Sequence, residues 1–65
     1  MKKKIIKYLK KMKNGDTLNN ISKNIKEYKP SVKAYLTVLI CENIIIKERN
    51  GDNFYYKLNK NYKLF

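Results

Sequence analysis

The chain has 65 residues, room for one folded domain, and 43% of them are hydrophobic, which excludes a disordered basic tail. Sixteen Lys and Arg against five Asp and Glu leave a formal charge of +11, so a polyanion is the expected partner, nucleic acid before an anionic membrane surface. With no histidine and one cysteine, Cys41, the chain offers no internal disulfide, no metal cluster and no acid–base pair, so neither an enzyme nor a cofactor is expected. Lysine, isoleucine, asparagine and tyrosine dominate, as AT-rich codon usage would produce, and charge alone therefore does not settle function. The longest apolar stretch, Val38 to Ile46, contains Glu42 and Asn43 and is far too short for a membrane span. Lys7, Lys10 and Lys11 interrupt what might follow a charged secretory start. A soluble cytoplasmic, nucleoid-associated protein is expected, with no small-molecule effector.

Ile5, Ile6, Leu9 and Met12 fall on one stripe of a first helix, with lysines on its other faces. Asn14-Gly15 is expected to stop it, because both residues accept the left-handed conformation of a helix C-cap. Asp16 or Thr17 can cap a second helix whose Leu18, Ile21 and Ile25 keep the helical period. Tyr28-Lys29-Pro30 is expected to break it, and Pro30 suits the first turn of a third helix. Val32, Leu36, Leu39 and Ile40 mark the buried stripe of that helix, which Asn43 ends. The β-branched run Ile44-Ile45-Ile46 leads through Lys47-Glu48-Arg49 to Asn50-Gly51-Asp52-Asn53, a strong hairpin turn signal. Phe54, Tyr56 and Leu58 alternate on the returning strand and are expected to face the core. The predicted fold is mostly α with a β-hairpin, three helices followed by a two-stranded wing, as one domain over residues 1–65.

From Thr17 to Leu58 the chain resembles the winged helix-turn-helix regulators of bacteria and archaea, especially the ArsR type. Thr17-Leu18-Asn19-Asn20-Ile21-Ser22-Lys23-Asn24-Ile25 is similar to the family's second helix. The segment from Lys29-Pro30-Ser31-Val32 to Val38-Leu39 resembles its recognition helix. Lys47-Glu48-Arg49-Asn50-Gly51 and Tyr55-Tyr56-Lys57-Leu58 resemble the wing. The resemblance implies binding of double-stranded DNA and a role as a small transcriptional regulator, most simply a repressor. The Cys and His clusters of metal-sensing members are missing, so metal sensing is not implied. Glu42-Asn43-Ile44-Ile45 stands where the family usually has a glycine before two apolar residues. The flanking helices that dimerise that family are missing or shortened.

A helix about 10–12 Å across fits the DNA major groove, about 12 Å wide. With Val32, Leu36, Leu39 and Ile40 inward, Ser31, Lys33, Ala34 and Thr37 are the expected base-reading face. Lys33 would donate to guanine or to a phosphate, Ser31 and Thr37 would bond base edges or phosphates, and Ala34 would touch a thymine methyl group. The wing offers Lys47, Arg49, Asn50, Asn53 and Lys57. Arg49, the only arginine, is placed to enter a narrow A·T-rich minor groove. Thr17, Lys23, Lys26 and Lys29 are expected on the phosphate backbone, helped by the positive end of the second helix. Tyr35 is either a core or rim aromatic or a phosphate donor, and Cys41 is read as filler in the core or an interface. Tyr62, Leu64 and Phe65 either close the core against the first helix or join a dimer contact. A homodimer on a partly palindromic site is expected, because one module buries only about 600–1,000 Å². The alternatives are non-specific nucleic-acid coating and protein docking within a larger assembly.

Overall fold

The computed structural model describes residues 1–60 and orders them as α1 (Lys2–Lys11), α2 (Leu18–Ile25), α3 (Lys29–Cys41), β1 (Ile45–Asn50) and β2 (Asn53–Leu58). Three helices are thus followed by a two-stranded antiparallel hairpin, the expected order of elements. Tyr62, Leu64 and Phe65, expected to close the core or a dimer contact, lie outside the described residues.

The apolar stripes decide the packing. Ile5 and Leu9 of α1, Ile21 of α2, and Val32, Leu36 and Leu39 of α3 meet Ile44, Ile45 and Tyr56 in one core. Ile6, Leu18, Ile25, Ile40 and Leu58 pack around it, half-buried. Ile40 therefore sits at the rim of the core, one step around α3 from the fully buried Leu39.

Each helix boundary has an identifiable cause, and two differ from expectation. α1 ends at Lys11, before Asn14-Gly15, because Met12 already leaves helical geometry (φ −105°, ψ 89°). α2 starts at Thr17, whose Oγ1 accepts the Asn20 amide at 3.3 Å. It stops at Lys26, which turns left-handed (φ 57°), so Tyr28-Lys29-Pro30 does not break α2. Tyr28 instead caps α3, and Pro30 lies in its first turn, where a missing N–H costs nothing. Asn43 follows the end of α3 at φ 62° and turns Ile44 back into the core.

The hairpin pairs Ile45 with Leu58 at its base and Asn50 with Asn53 at its tip, so the two-residue turn is Gly51-Asp52. Gly51 takes a positive φ of 66° and Asp52 does not, the pattern of a type II′ turn. Asn59 closes the base, its amide donating to Ile44 O and its Nδ2 to Asn43 O, each at 2.9 Å.

One connection has no periodic signature in the sequence. Asp16 forms a single-residue antiparallel bridge to Tyr56, with Asp16 N donating to Tyr56 O at 3.0 Å and Tyr56 N to Asp16 O at 2.8 Å. Gly15 makes this approach possible. A Cβ there would lie 2.5 Å from Tyr56 O and 2.8 Å from Lys57 Cβ, and its φ of 78° suits glycine. The bridge ties the start of α2 to the middle of β2 and fixes the hairpin beside the helices.

Candidate nucleic-acid interface

α2, α3 and the hairpin enclose a cleft of about 360 Å³. Lys29 and Lys33 enter it from α3, Lys47 from β1, and Thr17, Leu18 and Asn19 from the start of α2. Asp52, Asn53 and Phe54 at the hairpin tip, with Tyr56 beneath, complete its walls.

Hairpin register explains how a core face becomes a cleft face. Ile45, Lys47 and Arg49 alternate on one side of β1, opposite Leu58, Tyr56 and Phe54. At the base this side is apolar, with Ile45 buried and Leu58 half-buried. Tyr56 is still 7% exposed, but Phe54, expected in the core, is 46% exposed because the hairpin projects past the helices there. Lys47 Nζ lies 4.3 Å from the Phe54 ring centroid and 5.9 Å from that of Tyr56, a cation–π contact that holds the ammonium over the cleft wall. Arg49 stays at the tip, its Nε donating to Gly51 O at 3.1 Å.

The acidic residues are spent elsewhere. Glu27 pairs with Lys4, Glu42 with Lys2 at 3.0 Å and Glu48 with Lys57 at 2.6 Å. The hydrogen bond and charge of Lys4 hold the Glu27 carboxyl below its ordinary value. Asp16 is burdened by desolvation, yet hydrogen bonds from Tyr8 (2.5 Å), Asn20 Nδ2 (2.9 Å) and the Thr17 amide (2.8 Å) outweigh that and depress its pKa. The same bond from Tyr8 to Asp16, with burial and the carboxylate's charge, pushes the Tyr8 hydroxyl up to about 12. None of Lys29, Lys33 and Lys47 has a carboxylate partner of this kind among the described residues, and Asp52 alone brings negative charge to their cleft.

The expected site residues therefore divide. Thr17, Lys29, Lys33, Lys47 and Asn53 converge on the cleft. Arg49 and Asn50 lie exposed beside it at the hairpin tip, and Ala34 and Thr37 are exposed farther along α3. Thr37 Oγ1 is turned to its own helix, donating to Lys33 O at 3.0 Å. Ser31 does not share the face of Lys33: two residues apart, they lie about 200° around the helix, and Ser31 is half-buried. Lys57 also departs from expectation. It points from the opposite side of the hairpin to Lys47 and pairs with Glu48. Lys23 and Lys26 are exposed on α2 but do not line the cleft, Lys26 because it forms the left-handed end of the helix.

Three further placements bear on function. Cys41, expected as core or interface filler, is exposed, because it falls on the side of α3 opposite Leu36 and Leu39. Tyr35 is a rim aromatic, partly exposed. The sequence reading passed over Tyr8 and Phe54 as parts of the interface or its support. Phe54 was detectable as a large aromatic next to a turn, whereas nothing in the spacing links Tyr8 to Asp16.

No protein-family model matches the chain, and no curated protein matches its sequence. Among the described residues, no group of three or more His, Cys, Asp or Glu is placed to hold a metal ion. No described helix is long and apolar enough to cross a membrane.

Proposed function

We propose that this chain is a winged helix-turn-helix protein that binds double-stranded DNA, with α3 directed to the major groove and the hairpin to the adjacent backbone and minor groove. The observation that carries this reading is the convergence of Lys29, Lys33 and Lys47 on one cleft without paired carboxylates, while Glu27, Glu42 and Glu48 pair with lysines outside it. A surface of uncompensated lysines drawn from two elements is stabilised when phosphates replace their counterions. Lys33 sits where α3 meets the cleft, able to donate to a base edge or a phosphate, and Arg49 projects from the tip toward a minor groove. Small size favours a homodimer on a two-fold site, acting as a repressor by occupying a promoter in the nucleoid.

A specific observation favours a second reading, docking to a protein. The exposed surface of α3 beyond Lys33 consists of Ala34, Tyr35, Thr37, Val38 and Cys41, none of them charged. Selection of bound sequences from a random duplex pool, at two salt concentrations, separates the readings. A regulator enriches a sharp motif that survives the higher salt. An unchanged pool whose binding collapses with salt indicates coating, and absence of binding at either salt indicates docking.

A further inference from the structure

The cleft is more than a stripe of positive charge laid along a backbone. Lys29, Lys33 and Lys47 contribute three positive charges and Asp52 one negative, a net +2 inside one concavity. A backbone phosphodiester carries a single negative charge, whereas a terminal phosphate monoester carries about two at pH 7. The concavity, at about 360 Å³, is also within the range of small-ligand pockets and larger than a phosphate needs. One wall is the half-exposed Phe54 ring, a surface against which a planar base can lie. At the opposite wall the Thr17 cap accepts the Asn20 amide, and Thr17's own amide goes to Asp16. The Leu18 and Asn19 amides, in the first turn of α2, remain without a helical acceptor.

We propose that this cleft is a nucleotide site, which takes the phosphate monoester of one nucleotide on Lys29, Lys33 and Lys47 and its base on Phe54. Such a group comes either from the phosphorylated end of a DNA strand or from a free nucleoside monophosphate. The inference goes beyond duplex binding, since it needs one phosphorylated nucleotide and no double helix.

The test is a titration of the full ¹⁵N-labelled chain with inorganic phosphate, deoxyadenosine and deoxyadenosine monophosphate at constant ionic strength. The monophosphate is expected to shift Leu18, Asn19, Lys33 and Phe54 saturably, and to bind about tenfold more tightly than inorganic phosphate, the increment of one stacked base. Deoxyadenosine alone is expected to bind at least tenfold more weakly than the monophosphate. Phe54→Ala should bring the monophosphate down to the level of phosphate, and Lys33→Gln should weaken both. Equal binding of phosphate and monophosphate, or shifts spread evenly over the lysines of α1, overturns the proposal. Linear duplex with and without 5′-phosphates identifies the source. A preference for the phosphorylated ends points to a strand terminus, and no preference alongside monophosphate binding points to the free nucleotide. Covalently closed duplex has no ends: if it binds while the monophosphate does not, the nucleotide site fails and the duplex reading survives. Monophosphate binding without closed-duplex binding gives the converse.

Discussion

Two neighbouring regions treat polar groups in opposite ways, and Thr17 belongs to both. At the joint formed by Tyr8, Gly15, Asp16 and Tyr56, each donor meets an acceptor: the Asp16 carboxylate takes three hydrogen bonds and its backbone makes two more to Tyr56. A few ångströms of chain away, Lys29, Lys33 and Lys47 line a cleft with a single carboxylate among them. The first arrangement lowers the free energy of the isolated fold, because part-buried polar groups are satisfied. The second raises it through like-charge repulsion and is offset only by an anion from outside. Fold and binding thus draw on adjacent but separable residues.

The largest expected effect is at the joint. Gly15→Ala places a methyl against the Tyr56 carbonyl at a positive φ, and about 3 kcal/mol or more of stability should be lost. A domain of this size holds only about 3–10 kcal/mol, so urea denaturation followed by circular dichroism should show a large fraction unfolded without denaturant. An unchanged midpoint would mean that the Asp16–Tyr56 bridge does not hold the hairpin in place.

Next comes Asp16→Ala, which removes three acceptors and should cost about 1–3 kcal/mol in the same assay. A smaller effect is pH-dependent. Tyr8 keeps its proton up to about 12 in the folded chain against an ordinary value of 10, so its contribution is complete below pH 10 and is lost as pH rises from 10 to 12. The depressed pKa of Asp16 has the opposite sense: its contribution is present above the ordinary aspartate range and disappears as pH falls through the folded value. The stability difference between the natural chain and Tyr8→Phe, followed from pH 9 to 12, should shrink over this alkaline window. A constant difference would contradict the Tyr8–Asp16 bond. The smallest effect is expected on the far side of the hairpin. Lys57→Gln breaks an exposed pair with Glu48 and should change stability by less than about 1 kcal/mol, with no more loss of DNA affinity than any distant lysine.

Much of this architecture is readable from periodicity. Ile5 and Leu9, Val32 and Leu36, and the Asn50-Gly51-Asp52-Asn53 turn announce helices and hairpin, because burial on one face forces a repeat of 3.6 or 2 residues. The alternation of Phe54, Tyr56 and Leu58 also gives their common face correctly. It does not give where that face leaves the core, which depends on how far the helices reach along the hairpin. The Asp16–Tyr56 bridge is one residue long and has no period at all, so Gly15 reads as a helix stop when its actual constraint is the carbonyl of Tyr56. Thr17, Lys29, Lys33 and Lys47 were identifiable as candidates by residue type and position. Lys57 was misassigned because a lysine looks the same on either side of a strand, and only the register sends it toward Glu48.

The most direct test of the central claim compares two charge-matched variants for binding to covalently closed duplex DNA. Lys33→Gln with Lys47→Gln removes two lysines of the cleft, and Lys3→Gln with Lys7→Gln removes two exposed lysines of α1. If the cleft is the binding face, the first variant should bind about tenfold or more weakly, with a salt slope shallower by up to about 2. The second should change affinity severalfold less, and both should retain the natural urea midpoint. Equal losses in the two variants would contradict the claim, since they would make diffuse charge rather than the cleft the source of binding.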